Sequence, residues 1–206
     1  MLNANAPRPG LIASTLSLAG LIILSLTIVF AAHDQAWRAA HYFHPAKDPL
    51  WTGLLAQLVH LNTAHAALNL AGLFTLSLAA WFLNRLPWVV PTLLASGVAV
   101  CVGLQLESPP IAWYVGLSGA LYGGWAALCL EIGTNRQTRP ALKSLAGLAC
   151  LGIGCKAAIG LSTSEVLGSM PVAHQAHLYG YAGGLVFAAC LLIGPYCARR
   201  LRTRAA

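Results

Sequence analysis

Residues 11–32, LIASTLSLAGLIILSLTIVFAA, run from Leu11 to Ala32 without a charged side chain. A helix needs about 20 predominantly apolar residues to cross the hydrocarbon of a bilayer, and this block has that length. It shows none of the alternation between apolar and polar residues that marks a membrane barrel strand. It is too long for the apolar core of a signal peptide and has no clear cleavage site, so it is expected to remain as a helix.

The rest of the chain repeats the pattern. Of its 206 residues, 58% are hydrophobic and only 8% are charged, a balance that fits a polytopic membrane protein and not a soluble globule. Breaks at charged, proline and glycine clusters divide it into six expected helices, at about 11–32, 54–83 with room for its first turns to lie outside the hydrocarbon core, 88–106, 116–132, 141–161 and 175–197. The connections are 33–53, the tight Asn84-Arg85-Leu86-Pro87 turn, 107–115, 133–140 and 162–174. The expected fold is all-α, a six-transmembrane-helix bundle forming a single domain over 1–206.

Six spans put both ends of the chain on one side of the membrane. Arg8, Arg85, Arg136, Arg139, Lys143, Arg199, Arg200, Arg202 and Arg204 all fall on that side, which the positive-inside rule makes cytoplasmic. Asp34, Arg38, Lys47, Asp48, Glu107 and Glu165 occupy the opposite loops. Topology thus explains the net charge of +7, and no nucleic-acid partner is needed. The six cysteines, Cys101, Cys129, Cys150, Cys155, Cys190 and Cys197, lie in or at the ends of apolar blocks without a CxxC pair. They read as small buried packing residues and suggest neither a disulfide framework nor a metal cage.

With that orientation, all seven histidines lie in the outer half or outer loops. His33, His41 and His44 belong to the first outer loop and are given no role. His60, His65, His174 and His177 sit at helix beginnings. The fourth span opens with Tyr114-Val115-Gly116-Leu117-Ser118-Gly119-Ala120-Leu121-Tyr122-Gly123, placing Ser118 in a first turn whose backbone N–H groups lack intrahelical partners. Such N–H groups are ready donors for an oxyanion. A serine hydroxyl is a poor nucleophile until a base takes its proton. His177, at the start of the sixth span and at similar depth, is the best-placed base. Gly116, Gly119 and Gly123 on one helix, with Gly180 and Gly184 on the other, allow the two helices to approach closely.

The second span is expected to enter from the same side. In its opening stretch, VHLNTAHAALN (59–69), His65 and Asn69 lie four residues apart on one helix face. Both side chains carry N–H donors that could face the negative oxygen of a tetrahedral intermediate. Each element alone has an ordinary alternative: a packing glycine motif, a capping histidine, or an asparagine that glues helices together. Their joint placement near one surface favours chemistry.

The set His60-x4-His65-x3-Asn69, Gly116-x-Ser118-Gly119 with Tyr122, and Ala176-His177-x2-Gly180-x3-Gly184 resembles the rhomboid family of intramembrane serine proteases, in the family's order, from Trp51 to Gly184. The resemblance implies a Ser118–His177 dyad without an aspartate, with Tyr122 packed on the His177 ring. His65, Asn69 and the Ser118 N–H would form the oxyanion hole, and His60 would support it. No cofactor or metal is implied. The family often has Trp-Arg where this chain has Trp51-Thr52, so the first outer loop is expected to differ in shape. Within the family, the short six-helix chain and the string YVGLSGALYG are most similar to rhombosortases. That implies a bacterial inner-membrane enzyme, in the lipid bilayer, acting near the periplasmic face on a substrate transmembrane segment with a C-terminal Gly-Gly motif.

Two other readings stay open: a metal or proton transporter lined by His60, His65, His174 and His177, and a rhomboid relative that binds helices without cutting them. Ser162, Thr163, Ser164 and Glu165 make the fifth loop polar enough to cap the site. Lys156 is expected to snorkel to the membrane surface, and Glu131 to be interfacial.

Overall fold

The protein is described here by a computed structural model covering residues 10–33, 35–162, 166–167 and 170–204. Arg8, Asp34, Thr163, Ser164 and Glu165 lie outside the described residues, and so does most of the expected polar cap. The chain forms α1 (Leu11–His33), α2 (Gln35–Ala40), α3 (Leu50–Ala56) and α4 (Thr63–Phe82), then a 3₁₀ turn over Leu86–Trp88. It continues with α5 (Val89–Leu106), α6 (Ser118–Thr134), α7 (Pro140–Gly160) and α8 (His174–Arg204). Two-residue strands β1 (Val166–Leu167) and β2 (Met170–Pro171) pair antiparallel between α7 and α8.

Side chains are distributed as a lipid solvent demands. Ile12, Leu16, Phe30, Phe74, Leu106, Leu148 and Val186 are exposed, while Gln57, His60, Asn69, Ser96, His174 and His177 are buried. Without a hydrophobic drive between helices, small residues set the packing. α6 shows this most clearly: it packs against α4, α5, α7 and α8, and it buries Gly119, Ala120, Gly123, Gly124, Ala126 and Ala127. The cysteines are less uniform than expected. Cys101 and Cys129 are buried, but Cys155 and Cys190 are exposed, and the side chain of Cys197 lies outside the described residues.

Four helical segments are long and apolar enough to cross a membrane, Ile12–Phe30, Thr63–Phe82, Leu86–Leu106 and Pro140–Gly160. Among the described residues α6 and α8 are not in that set.

The expected span over 54–83 is two helices. α3 stops at Ala56, whose carbonyl accepts the N–H of Gly116, 3.0 Å away, from the segment leading into α6. The chain then turns through 57–62, and Asn62 caps α4 by accepting the His65 N–H at 2.9 Å. The first turns of that apolar run therefore serve a long-range contact.

At the end of the bundle away from Ser118, Glu131 is tied to Arg85, with Nη2 at 2.6 Å and Nε at 2.7 Å from Oε1. The pair clamps the α4–α5 turn to α6.

Candidate active site

Ser118 is the first residue of α6, and its position is set from outside that helix. Phe43 and Tyr114 exchange backbone hydrogen bonds of 3.1 and 2.8 Å. The ring Nδ1 of His44 donates to the Ala112 carbonyl at 2.9 Å, and Tyr42 stacks on Trp113. The first loop, given no role from sequence, thus braces the segment that delivers Ser118. The Tyr114 hydroxyl, buried, donates to the Gly116 carbonyl at 2.7 Å. Gly116 takes φ +107°, a conformation that L side chains rarely adopt. A Cβ there would sit 2.7 Å from Cε1 of His65. The bare α-carbon is what lets that ring reach the serine loop.

The contact between α6 and α8 is backbone on backbone. A Cβ on Gly180 would collide with the carbonyl of Gly119, and one on Gly184 with the carbonyl of Gly123. Reciprocally, a Cβ on Gly119 would fall 2.8 Å from the Ala176 carbonyl oxygen. This close seam brings His177 to Ser118, with Nε2 and Oγ 2.9 Å apart, a hydrogen-bonding distance. Tyr122, one turn on from Ser118, stacks on the His177 ring with centroids 4.3 Å apart and planes at 4°. Nδ1 of His177 is buried and has no hydrogen-bond partner among the described residues. The histidine is held by ring packing instead of by a carboxylate.

His65 and Asn69 line the same cavity as Ser118 and His177, a space of about 670 Å³. Asn69 is buried, and one of its amide N–H groups donates to the His65 carbonyl at 3.1 Å. Its second amide hydrogen remains for a ligand. His60 is fully buried, donates from Nδ1 to the Leu58 carbonyl at 3.2 Å, and meets the His65 ring edge-on at 4.9 Å. Its ring packs on His65 and does not line the cavity. His174 contacts His177 edge-on, with centroids 5.7 Å apart. Among the described residues no group of three or more His, Cys, Asp or Glu side chains is placed to hold a metal ion.

The cavity also has lining that sequence reasoning missed. Tyr114 belongs to it, and so does Lys156, which was expected to snorkel. Both α4 and α7 contribute walls, yet among the described residues the two helices do not pack on each other. The arrangement can polarise a serine hydroxyl, accept its proton on an imidazole, and offer N–H donors from α6, His65 and Asn69 to an oxygen bound above Ser118.

A family model described as Rhomboid domain matches residues 47–194 of the chain. No curated protein and no solved structure matches it.

Proposed function

The chain belongs to the rhomboid family of intramembrane serine proteases, and from that premise we propose that Ser118 and His177 form its catalytic dyad. In this reading Oγ of Ser118 attacks the scissile carbonyl while Nε2 of His177 takes its proton. His177 then protonates the departing amine, and water, activated by the same imidazole, hydrolyses the acyl-enzyme. The 2.9 Å contact between Oγ and Nε2 beside an open cavity is the observation that carries the reading. The oxyanion would be met by the Ser118 N–H, His65 and the free amide hydrogen of Asn69. The bundle is read as six spans with both termini cytoplasmic, which puts the site near the periplasmic face. The substrate segment would reach the site through the gap between α4 and α7.

The finer reading is a rhombosortase-like enzyme that removes the tail of secreted or surface proteins bearing a C-terminal Gly-Gly motif. Its support is the short chain and the string YVGLSGALYG at 114–123. The direct test of the dyad is a fluorophosphonate probe: labelling of the full chain that disappears in Ser118→Ala and in His177→Ala supports it, and labelling that survives either change overturns it. Co-expression with Gly-Gly-tailed proteins, followed by mass determination of the released C-terminus, tests the substrate class.

His65→Ala and Asn69→Ala are each expected to lower kcat by about 10²-fold with a smaller change in KM, because a donor aimed at the developing oxyanion acts chiefly in the transition state. Equal losses in kcat and in substrate affinity would remove them from that role. Tyr122→Ala is expected to cost about tenfold in kcat/KM, the upper range for one stacked ring pair, with phenylalanine restoring most of it.

A further inference from the structure

The lining of the cavity that holds Ser118 and His177 includes one lysine, Lys156. Lys156 lies four residues before the C-terminus of α7, roughly 6 Å along the axis at the α-helical rise. It therefore sits near the end of the bundle where α6 begins. The lining it belongs to is mixed: Ile153, one turn earlier, Trp125 and Leu121 are apolar, while Asn69, Tyr122 and His177 carry polar groups. Lys156 is exposed and makes no ion pair among the described residues. The carboxylate that is paired, Glu131, is bound to Arg85 at the other end of the bundle.

An ammonium facing a cavity at membrane depth is expensive unless something anionic meets it, and such residues mark ligand paths by default. A lipid-facing lysine has no reason to share a wall with the serine and the imidazole. From this geometry we infer that Lys156 is a specificity-determining residue that pairs with a carboxylate, an Asp or Glu side chain, on the substrate segment bound in the cavity. The inference rests on reading that cavity as the substrate site. A carboxylate entering the hydrocarbon unpaired is disfavoured, and a charge-assisted contact in the cavity offsets part of that cost. Substrates with an acidic residue at the matching position would therefore be selected over their amide counterparts.

The test measures binding, so it does not depend on catalysis. The full chain carrying Ser118→Ala is reconstituted in phosphatidylcholine vesicles. A fluorescent transmembrane peptide, with a single Asp or Asn moved through its outermost two turns, is titrated by energy transfer. At one position or two adjacent ones the Asp peptide is expected to bind about tenfold more tightly, a ratio typical of one charge-assisted contact. Adding Lys156→Met should bring that ratio to about one, Lys156→Arg should keep it, and Lys156→Glu should invert it towards a peptide bearing Lys at the same position. Equal binding of Asp and Asn peptides at every position overturns the proposal, as does a preference that persists in Lys156→Met. A preference erased when phosphatidylglycerol replaces phosphatidylcholine assigns the ammonium to lipid phosphate and likewise overturns it. Loss of fluorophosphonate labelling specificity would count against the dyad alone, and leave these binding ratios meaningful.

Discussion

Alanine at position 118 is expected to lower peptide-bond cleavage on the order of 10⁵-fold or more, with no loss of fold. Removing Oγ deletes the attacking atom, and the remaining N–H donors supply only binding and charge stabilisation. The helix start itself is held elsewhere, by the Phe43–Tyr114 backbone pair and by the Gly116 N–H on Ala56, so thermal unfolding should move little. His177→Ala is expected to cost a similar factor, because a serine without its base is as inert as no serine. The double variant should then be no worse than either single one, since residues that act as a unit are not additive. Steady-state rates on a fluorogenic transmembrane substrate, measured with melting curves, check all three. Residual activity within tenfold of the parent in Ser118→Ala would sink the dyad.

The second large effect is structural. Gly180→Val and Gly184→Val are each expected to destabilise the bundle by about 3 kcal/mol, at the upper end for overpacking. Here the clash is with backbone carbonyls of Gly119 and Gly123, which cannot rotate aside as a side chain would. α8 must shift outward, and the Ser118–His177 contact opens with it. Activity should fall together with stability. The internal comparison is Gly147 and Gly152 on α7, where an added Cβ meets nothing within 4 Å. Alanine at those positions should leave both stability and rate near the parent values. Equal damage from Gly147→Val and Gly180→Val would show that the seam does not govern these glycines.

Much of this was legible in the residues themselves. Long apolar runs fix helices because the bilayer leaves the backbone no other way to satisfy its polar groups. Ser118, His177, His65 and Asn69 stood out as polar groups at helix starts, and the glycine spacing announced the α6–α8 contact. What escaped was long-range. The break at 57–62 depends on a carbonyl that bonds to Gly116, and an apolar run carries no trace of that partner, although Asn62 followed three residues later by His65 was a local capping cue. The Phe43–Tyr114 pair joins residues about seventy positions apart through backbone atoms, which no side-chain pattern encodes, and the His44 ring reaches a backbone acceptor, the Ala112 carbonyl, as far along the chain. The place of Lys156 in the cavity lining could not be read from the sequence, because its distance from the helix end fits snorkelling equally well.

The order of the elements along the chain has its own consequence. Among the described helices α8 comes last and so leaves the ribosome after them, and it carries His177, the base of the proposed dyad. A nascent chain that has already inserted α1 to α7 would hold the alcohol and the oxyanion donors without a proton acceptor beside them. On the proposed dyad, a copy inserted only as far as α7 is expected not to cut neighbouring membrane segments until its closing helix has threaded into place.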